Sequence, residues 1–148
     1  MIQLFRKILC PIDFSEHSIA ALDVALKVAQ QNDAALCLLN VAPTPAGEAG
    51  FQPVKMEPLP HVEKDRREQL EKLARERIPA AVQSETLVIS GDPAERVLET
   101  ARGIAADLIV MGTHGRRGLS HLVLGSVAER VVRESPIPVL TTHSSPRA

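Results

Sequence analysis

The sequence predicts an α/β fold, a doubly wound five-stranded parallel sheet with helices on both faces and strand order 3-2-1-4-5. Five short apolar runs alternate with four helical segments, and this strict alternation implies right-handed crossovers between parallel strands. The length of 148 residues and a hydrophobic content of 45% suit one domain, 1–148, with its own core. A glycine-rich segment after the fourth strand adds a candidate ligand loop.

Two strands and a helix occupy the first part of the chain. The apolar runs 7–12 and 34–41 predict strands one and two, and Ser15 caps the helix between them. Strand one contains Cys10, and strand two contains Cys37. Because there is no C-x-x-C spacing and no neighbouring cation, we interpret both thiols as buried, reduced and structural. The alternative is a redox pair on adjacent strands.

The middle of the chain combines a long irregular segment with a charged helix. Residues 43–60 contain five prolines and two glycines, which preclude a regular element and suit a lid or a partner surface. The helix that follows, 61–78, has acids and bases four residues apart. Because their signs alternate, we interpret this charge run as a solvated face. The predicted pairs are Glu63 with Arg67, Glu68 with Lys72 and Glu71 with Arg75.

Three strands and two helices complete the predicted fold. Apolar runs predict strands at 85–89, 108–111 and 138–142, and a polar tail follows at 143–148. The third helix has a capping-box-like start, formed by Asp92, Pro93 and Glu95. The fourth helix has Ser126 at its N-cap position, and its predicted core face consists of Val127, Ala128, Val131 and Val132.

The segment between strand four and the last helix is predicted to be a phosphate cradle. The first turn of a helix leaves N–H groups unpaired at the positive end of its dipole, and glycines let successive N–H groups approach an anion, some with positive φ. Ser126 adds a hydroxyl donor. The segment supplies four glycines and four candidate cations, namely Gly112, Gly115, Gly118, Gly125, His114, Arg116, Arg117 and His121. The alternative is a glycine turn that merely connects a strand to a helix.

Asp13 is the second candidate ligand residue. It stands at the carboxyl end of strand one, and in an open parallel sheet ligands bind beyond these ends, where the strand order reverses. The order 3-2-1-4-5 puts this switch point between strands one and four, so Asp13 and the glycine segment meet across one crevice. The alternative is that Asp13 only helps to cap the first helix.

The glycine spacing resembles the signature of a known family. Gly112, Gly115, Gly125 and Ser126 form the pattern G-x2-G-x9-G-S, which resembles the nucleotide-binding signature of the universal stress protein family in its ATP-binding branch. It is neither a Walker A loop nor a G-x-G-x-x-G fingerprint. The resemblance runs from Lys7 to Leu140. It implies a Rossmann-like fold, similar to that of the adenine nucleotide alpha hydrolases.

The resemblance also implies a set of nucleotide-binding residues, with no catalytic residue among them. They divide into a base end, a ribose floor and a phosphate end. By analogy the base end is Pro11, Ile12, Asp13 and Val41, the ribose floor is Met111 and Gly112, and the phosphate end is Gly115, Gly125, Ser126 and Val127. To these the chemistry of the loop itself adds Arg116 as a stabiliser of phosphate charge.

The implied ligand is ATP, and the implied function is that of a nucleotide-dependent regulator in the cellular stress response. Because the glycine segment contains no carboxylate, Mg²⁺ or Mn²⁺ would be held by the phosphates and water rather than by protein ligands. The alternative is a slow ATP hydrolase or phosphotransferase that uses the same site, with His114 or His121 as its base. The chain has no Walker lysine and no Walker B pattern, which predicts weak ATPase activity at most.

Charge and composition narrow the remaining partners. A net charge of −1 and an aromatic content of 2% argue against nucleic acid and anionic membrane as primary partners. No segment resembles a signal peptide or a membrane span, so we expect a cytoplasmic protein. The last strand is an apolar sheet edge without lysine, which predicts a homodimer through that strand. A further protein partner is expected but not identified by the sequence.

Overall fold

The computed structural model describes residues 3–42, 60–114 and 124–143, and in these ranges the chain forms a five-stranded sheet and four helices. The four strand pairings are all parallel, in the order β3-β2-β1-β4-β5, as predicted. The elements are β1 Lys7–Pro11, α1 Glu16–Asn32, β2 Ala35–Ala42, α2 Pro60–Arg77, β3 Ser84–Ser90, α3 Pro93–Gly103, β4 Leu108–Gly112, α4 Ser126–Glu134 and β5 Val139–Thr142.

Two apolar cores lie on opposite faces of the sheet, which makes the fold doubly wound. Helices α1 and α2 cover the face that carries Ile8 and Leu36, whereas α3 and α4 cover the face of Leu9 and Leu39. Adjacent residues of each strand thus enter different cores, because side chains alternate across a strand. The central strands are therefore apolar on both sides, as expected of a covered parallel sheet.

The two cysteines illustrate this alternation. Cys10 lies in the core beneath α1 and α2, and Cys37 lies in the core beneath α3 and α4. The sheet separates the thiols, so the prediction of structural cysteines is confirmed and the redox-pair alternative is wrong. Burial raises the pKa of Cys10 well above its usual range, and burial with the nearby carboxylate of Glu85 raises the pKa of Cys37 to about 12.

Helix caps set the starts of α1 and α3 where the sequence predicts them. Ser15 Oγ accepts a hydrogen bond from the N–H of Ser18 at 3.2 Å, and Asp92 Oδ2 accepts one from the N–H of Glu95 at 3.0 Å. Helix α1 ends at Asp33, whose left-handed φ of 51° stops the helical path. Helix α2 begins at Pro60, one residue before the predicted start at His61.

Two predictions about α4 are wrong. The N-cap is Gly125, and Ser126 is the first residue inside the helix, so its hydroxyl forms no cap hydrogen bond. Val132, assigned to the core face, is 47% exposed, whereas Ala128 and Val131 are buried. The reason is that α4 packs at the margin of the sheet, against α3 and the edge strand β5, and this narrow contact covers only part of its apolar face.

The charge run of α2 is solvated for the most part. Arg67 and Glu63 form the predicted pair, with their nitrogen and oxygen atoms 2.7 Å apart. Lys72 pairs with Glu76 at 3.9 Å instead of with Glu68, so the predicted partner of Lys72 is wrong. Such exposed pairs contribute only a few tenths of a kcal/mol each. They keep the outer face of α2 soluble rather than hold the helix in place.

Candidate functional site

A cavity of about 540 Å³ opens at the carboxyl ends of β1, β2 and β4. It lies at the switch point of the strand order, between the start of α1 and the start of α4. Every predicted site residue within the described ranges lines it: Pro11, Ile12, Asp13, Val41, Met111, Gly112, Gly125, Ser126 and Val127. Gly115 and Arg116 lie outside the described residues, as do Arg117, Gly118 and His121.

Asp13 forms hydrogen bonds at the start of α1 and also lines the cavity. Its Oδ1 accepts a hydrogen bond from the N–H of Ser15 at 2.9 Å, while its own N–H donates to Ser18 Oγ at 3.3 Å. The carboxylate thus braces the turn into α1, and the same residue lines the cavity. Phe14 has a φ of 66°, a left-handed conformation that directs the chain from β1 into that helix.

Gly112 permits a close approach between β4 and α1. A Cβ atom built on it would lie 3.0 Å from the carbonyl oxygen of His17 in the first turns of α1. Because that neighbour is backbone, it cannot turn away as a flexible side chain would. The glycine at the end of β4 is therefore required by packing of the fold, whatever the cavity binds.

Gly125 is also required by a backbone contact, and not by the positive φ expected of a phosphate nest. Its φ is −60°, and its N–H donates to the carbonyl oxygen of Thr113 at 2.7 Å. The first intrahelical bond of α4 runs from the N–H of Glu129 to the oxygen of Gly125. The N–H groups of the first helical turn that precede this bond belong to Ser126, Val127 and Ala128. These groups, rather than Gly125, are the donors directed at the end of the cavity.

Three histidines lie together next to these donors, and one of them, His114, lines the cavity. His114 is only 8% exposed and forms part of the cavity wall. Its Nδ1 lies 3.0 Å from Thr113 Oγ1, and its ring centroid lies 5.6 Å from that of His17 and 6.2 Å from that of His143. Thr113 Oγ1 in turn donates to the carbonyl oxygen of Thr142 at 3.2 Å. A polar pair placed directly after a buried strand is the sequence signal for this cluster.

Asn40 and Arg66 line the opposite wall, and sequence reasoning missed both. Asn40 is 1% exposed, and its Nδ2 donates to the carbonyl oxygen of Ile12 at 2.7 Å. Arg66 Nη1 donates to Asn40 Oδ1 at 2.9 Å. The signal for Asn40 is an amide in the apolar run of β2. Arg66 gave no signal, because it belongs to the charge run that we interpreted as a solvated face, and for this residue that interpretation is wrong.

An ion-pair network joins α3 to α4 beside the cavity. Asp92, which lines the cavity and caps α3, accepts a hydrogen bond from Arg130 Nη1 at 2.8 Å. Arg130 Nε donates to Glu134 at 2.7 Å. These carboxylates raise the pKa of Arg130, chiefly through the hydrogen bond to Glu134. The network links the start of α3 to α4, at whose first turn the cavity ends.

The described ranges contain neither a metal-binding group nor a membrane-spanning helix. Among residues 3–42, 60–114 and 124–143, no three His, Cys, Asp or Glu side chains are grouped so that they could hold a metal ion. No helix in the same ranges combines the length and the apolar character needed to cross a bilayer. The cavity combines an apolar floor with the N-terminus of helix α4.

The fold and the spacing of the site residues define a family. Residues 4–143 match the model of the Universal stress protein family, and the chain belongs to that family. A universal stress protein from Thermus aquaticus, encoded in the QAH/OAS sulfhydrylase 3′ region, is 37% identical over 140 residues, which cover 93% of this chain and 98% of the relative.

Solved structures share the fold. The structure of hypothetical protein MJ0577, from Methanocaldococcus jannaschii, aligns with a TM-score of 0.77 at 23% identity and covers 97% of this chain and 99% of that one. A universal stress protein solved in complex with cAMP aligns with a TM-score of 0.72 at 24% identity, covering 95% and 98%. At these identities the likeness concerns the fold alone.

Proposed function

We propose that this chain is an ATP-binding universal stress protein that acts as a nucleotide-dependent regulator in the cellular stress response. The observation that carries the proposal is the convergence of the predicted residues on one cavity. Asp13 and Val127 are more than a hundred residues apart in sequence, yet both line it. A structurally similar universal stress protein binds cAMP, an adenine nucleotide, which supports the same ligand class here.

The chemistry of the cavity suits a nucleotide from end to end. Its volume of about 540 Å³ is in the range of small-molecule sites. Ile12, Val41 and Met111 provide an apolar surface for the base and sugar. The first turn of α4 provides N–H donors and the positive end of a helix dipole for the phosphates. Gly115 and Arg116 belong to the same proposal from the sequence pattern.

A divalent cation would enter with the nucleotide. Among the described residues the cavity lacks a group of acidic or imidazole ligands for a metal, so the phosphates and water would supply most of the coordination of Mg²⁺ or Mn²⁺. The protein then recognises the anionic chain through α4 rather than through the metal.

A slow ATP hydrolase is the second candidate, and the burial of His114 favours it. This imidazole lines the cavity, and its Cα lies 3.6 Å from the position of a Cβ on Gly125, the N-cap of α4. The imidazole thus belongs to the wall on the side of α4, and as a base on that wall it would activate water at the phosphate end. A regulator with slow turnover would use hydrolysis as a timer on the bound state, not as metabolism.

The assembly of the protein is a further part of the proposal. We propose that the chain forms a single domain, is located in the cytoplasm and forms a homodimer through β5. We also propose that another protein binds it according to its nucleotide state. Strand β5 pairs with β4 along one side, and Leu140 on it is 39% exposed. An apolar residue on a sheet edge favours pairing with a second strand.

The nucleotide content of the purified protein tests the ligand. Protein prepared without added nucleotide is denatured, and the released small molecules are identified by mass spectrometry. We expect ATP in a substantial fraction of the molecules, and calorimetric titration of the nucleotide-free protein should show saturable ATP binding. A protein that carries no nucleotide and gives no heat with ATP would contradict the proposal.

A further inference from the structure

The cavity wall contains a cation whose role the family signature does not assign, the guanidinium of Arg66. Arg66 lies on α2, is half-buried and lines the cavity. Its hydrogen-bond partner is Asn40, and no carboxylate in the described part of the chain forms an ion pair with it. A half-buried charge that has no counter-ion among the described residues is unfavourable unless the site gains from it, so this guanidinium requires an explanation.

Asn40 holds the guanidinium in a fixed position. The amide is 1% exposed, and its Nδ2 donates to the carbonyl oxygen of Ile12 at 2.7 Å. This bond directs the amide oxygen toward α2, where it accepts from Arg66 Nη1 at 2.9 Å. Because the amide is held at both ends, the arginine head lies at a defined place on the wall. No other partner of the guanidinium lies among the described residues, so within these ranges its face and its other N–H groups are available to a ligand.

The sheet order locates Arg66 at the end of the cavity away from α4. Asn40 belongs to β2, and β1 lies between β2 and β4 in the sheet. Neighbouring strands are about 4.8 Å apart, so the ends of β2 and β4 are separated by about 10 Å. The donors of α4 follow β4 in the chain. Arg66 therefore faces the part of a ligand that is not the phosphate chain.

The lining of the cavity is poor in planar groups. The chain has no Trp and no Tyr, and neither described phenylalanine that packs in the core, Phe5 or Phe14, lines the cavity. The apolar lining near Asn40 comes from aliphatic side chains such as Ile12 and Val41. A guanidinium plane can stack on the face of an aromatic ring, whereas an ammonium is a compact point charge without a plane to cover the ring.

We propose that Arg66, held by Asn40, binds the base of the nucleotide by stacking its guanidinium plane over the ring. The inference rests on the proposed nucleotide function and extends it to a residue of α2. It also explains how the charge is stabilised, because the π-electrons of the base compensate the cation. Helix α2 thereby becomes part of the ligand site.

The test compares nucleotides of increasing phosphate number in three variants. Arg66→Met keeps an apolar stem without the guanidinium, and Arg66→Lys keeps the charge without the plane. Arg67→Met is the matched control, because Arg67 is the next residue of the same helix, pairs with Glu63 and does not line the cavity. Affinities for AMP, ADP and ATP are measured by calorimetry at constant salt, after thermal melting has shown that each variant folds.

A base contact predicts one result for all three nucleotides. Arg66→Met should weaken AMP, ADP and ATP by the same factor, roughly tenfold. Arg66→Lys should recover little of the loss, and Arg67→Met should leave the affinities unchanged. A loss that grows from AMP to ATP and is restored by lysine would instead assign Arg66 to the phosphates and overturn the inference.

Two further outcomes separate this inference from the proposed function. Unchanged affinities in Arg66→Met, with wild-type protein that binds ATP, would overturn the role of Arg66 and leave the nucleotide function standing. Wild-type protein that binds none of the three nucleotides would overturn both.

Discussion

Gly125 donates its N–H to the carbonyl oxygen of Thr113 at 2.7 Å, and a Cβ atom on Gly125 would lie 2.9 Å from that same oxygen. One contact thus joins the end of β4 to the start of α4 on either side of the segment 115–123, and it admits only a glycine. The glycine at position 125 of the signature therefore satisfies a packing constraint of the fold. A substitution of Gly125 can therefore act by destabilising the fold as well as by changing the cavity.

Gly125→Ala should destabilise the fold before it affects any ligand. The new methyl group meets backbone that cannot move aside, and we expect a loss of about 1–3 kcal/mol in the free energy of unfolding. Gly103→Ala is the control, since nothing lies within 4 Å of its Cβ position in helix α3, and it should be neutral or stabilising by up to about 1 kcal/mol. Urea denaturation measures both. Equal stability of Gly125→Ala and the wild type would contradict the packing argument.

A charge at Ser126 tests the phosphate end without harming the helix. Ser126→Asp places a carboxylate in the first turn of α4. Its interaction with the helix dipole stabilises the helix by about 0.3–1 kcal/mol, but the same charge repels phosphates. We expect ATP affinity to fall by about tenfold or more, while the isosteric neutral variant Ser126→Asn retains most of it. Calorimetric titration decides the point, and wild-type affinity in Ser126→Asp would place the phosphates elsewhere.

Turnover of ATP should be slow in the wild type. Fast phosphoryl transfer needs an oriented nucleophile and cations that neutralise the developing charge, and the predicted site lacks a Walker lysine and a Walker B acid. We expect phosphate release with Mg²⁺ well below about one per second. If His114 is the base, His114→Gln should reduce even that rate. Release above about one per second that is lost in Ser126→Asp would make the protein an enzyme.

The proposed dimer depends on the exposed edge of β5. Leu140→Lys places a charge on the edge, where natural sheets use lysine to prevent pairing, and it should convert the dimer to a monomer at micromolar concentration. Leu4→Lys is the control, because Leu4 is 69% exposed and precedes β1 rather than lying on β5. Multi-angle light scattering reports the mass. A monomeric wild type would exclude the dimer.

The buried thiols predict a decline in stability at high pH. In the unfolded chain a thiol ionises near its usual pKa of 9.0, whereas in the folded chain Cys37 keeps its proton up to about 12. The free energy of unfolding therefore keeps its full value below pH 9 and falls as the pH rises above 9, by at most about 1.4 kcal/mol per pH unit for each thiol. Urea titrations between pH 8 and pH 11 measure the slope. The double variant Cys10→Ala, Cys37→Ala should show a smaller slope, and an identical slope would contradict the assignment.

The sequence by itself determined the sheet order, the alternation of elements and the caps of α1 and α3. The caps depend on residues within one or two turns of each other, as in the hydrogen bond that the N–H of Ser18 donates to Ser15 Oγ. The alternation of elements depends on the hydrophobic period of each segment. The topology of parallel strands then follows from the handedness of crossovers. From that topology alone the sequence brought Asp13 to the same crevice as Ser126.

Only the tertiary structure decided which backbone groups are already engaged and which charges face the cavity. The N–H of Gly125 is taken by Thr113, and the guanidinium of Arg66 turns inward to Asn40, which lies 26 residues earlier. Each contact bridges the segment between a strand and the helix that follows it, so no pattern within either element encodes it. Val132 is exposed for the same reason, because its burial depends on how far the neighbouring elements extend over α4. Periodicity predicts which face of a helix is apolar, and packing decides how much of that face is covered.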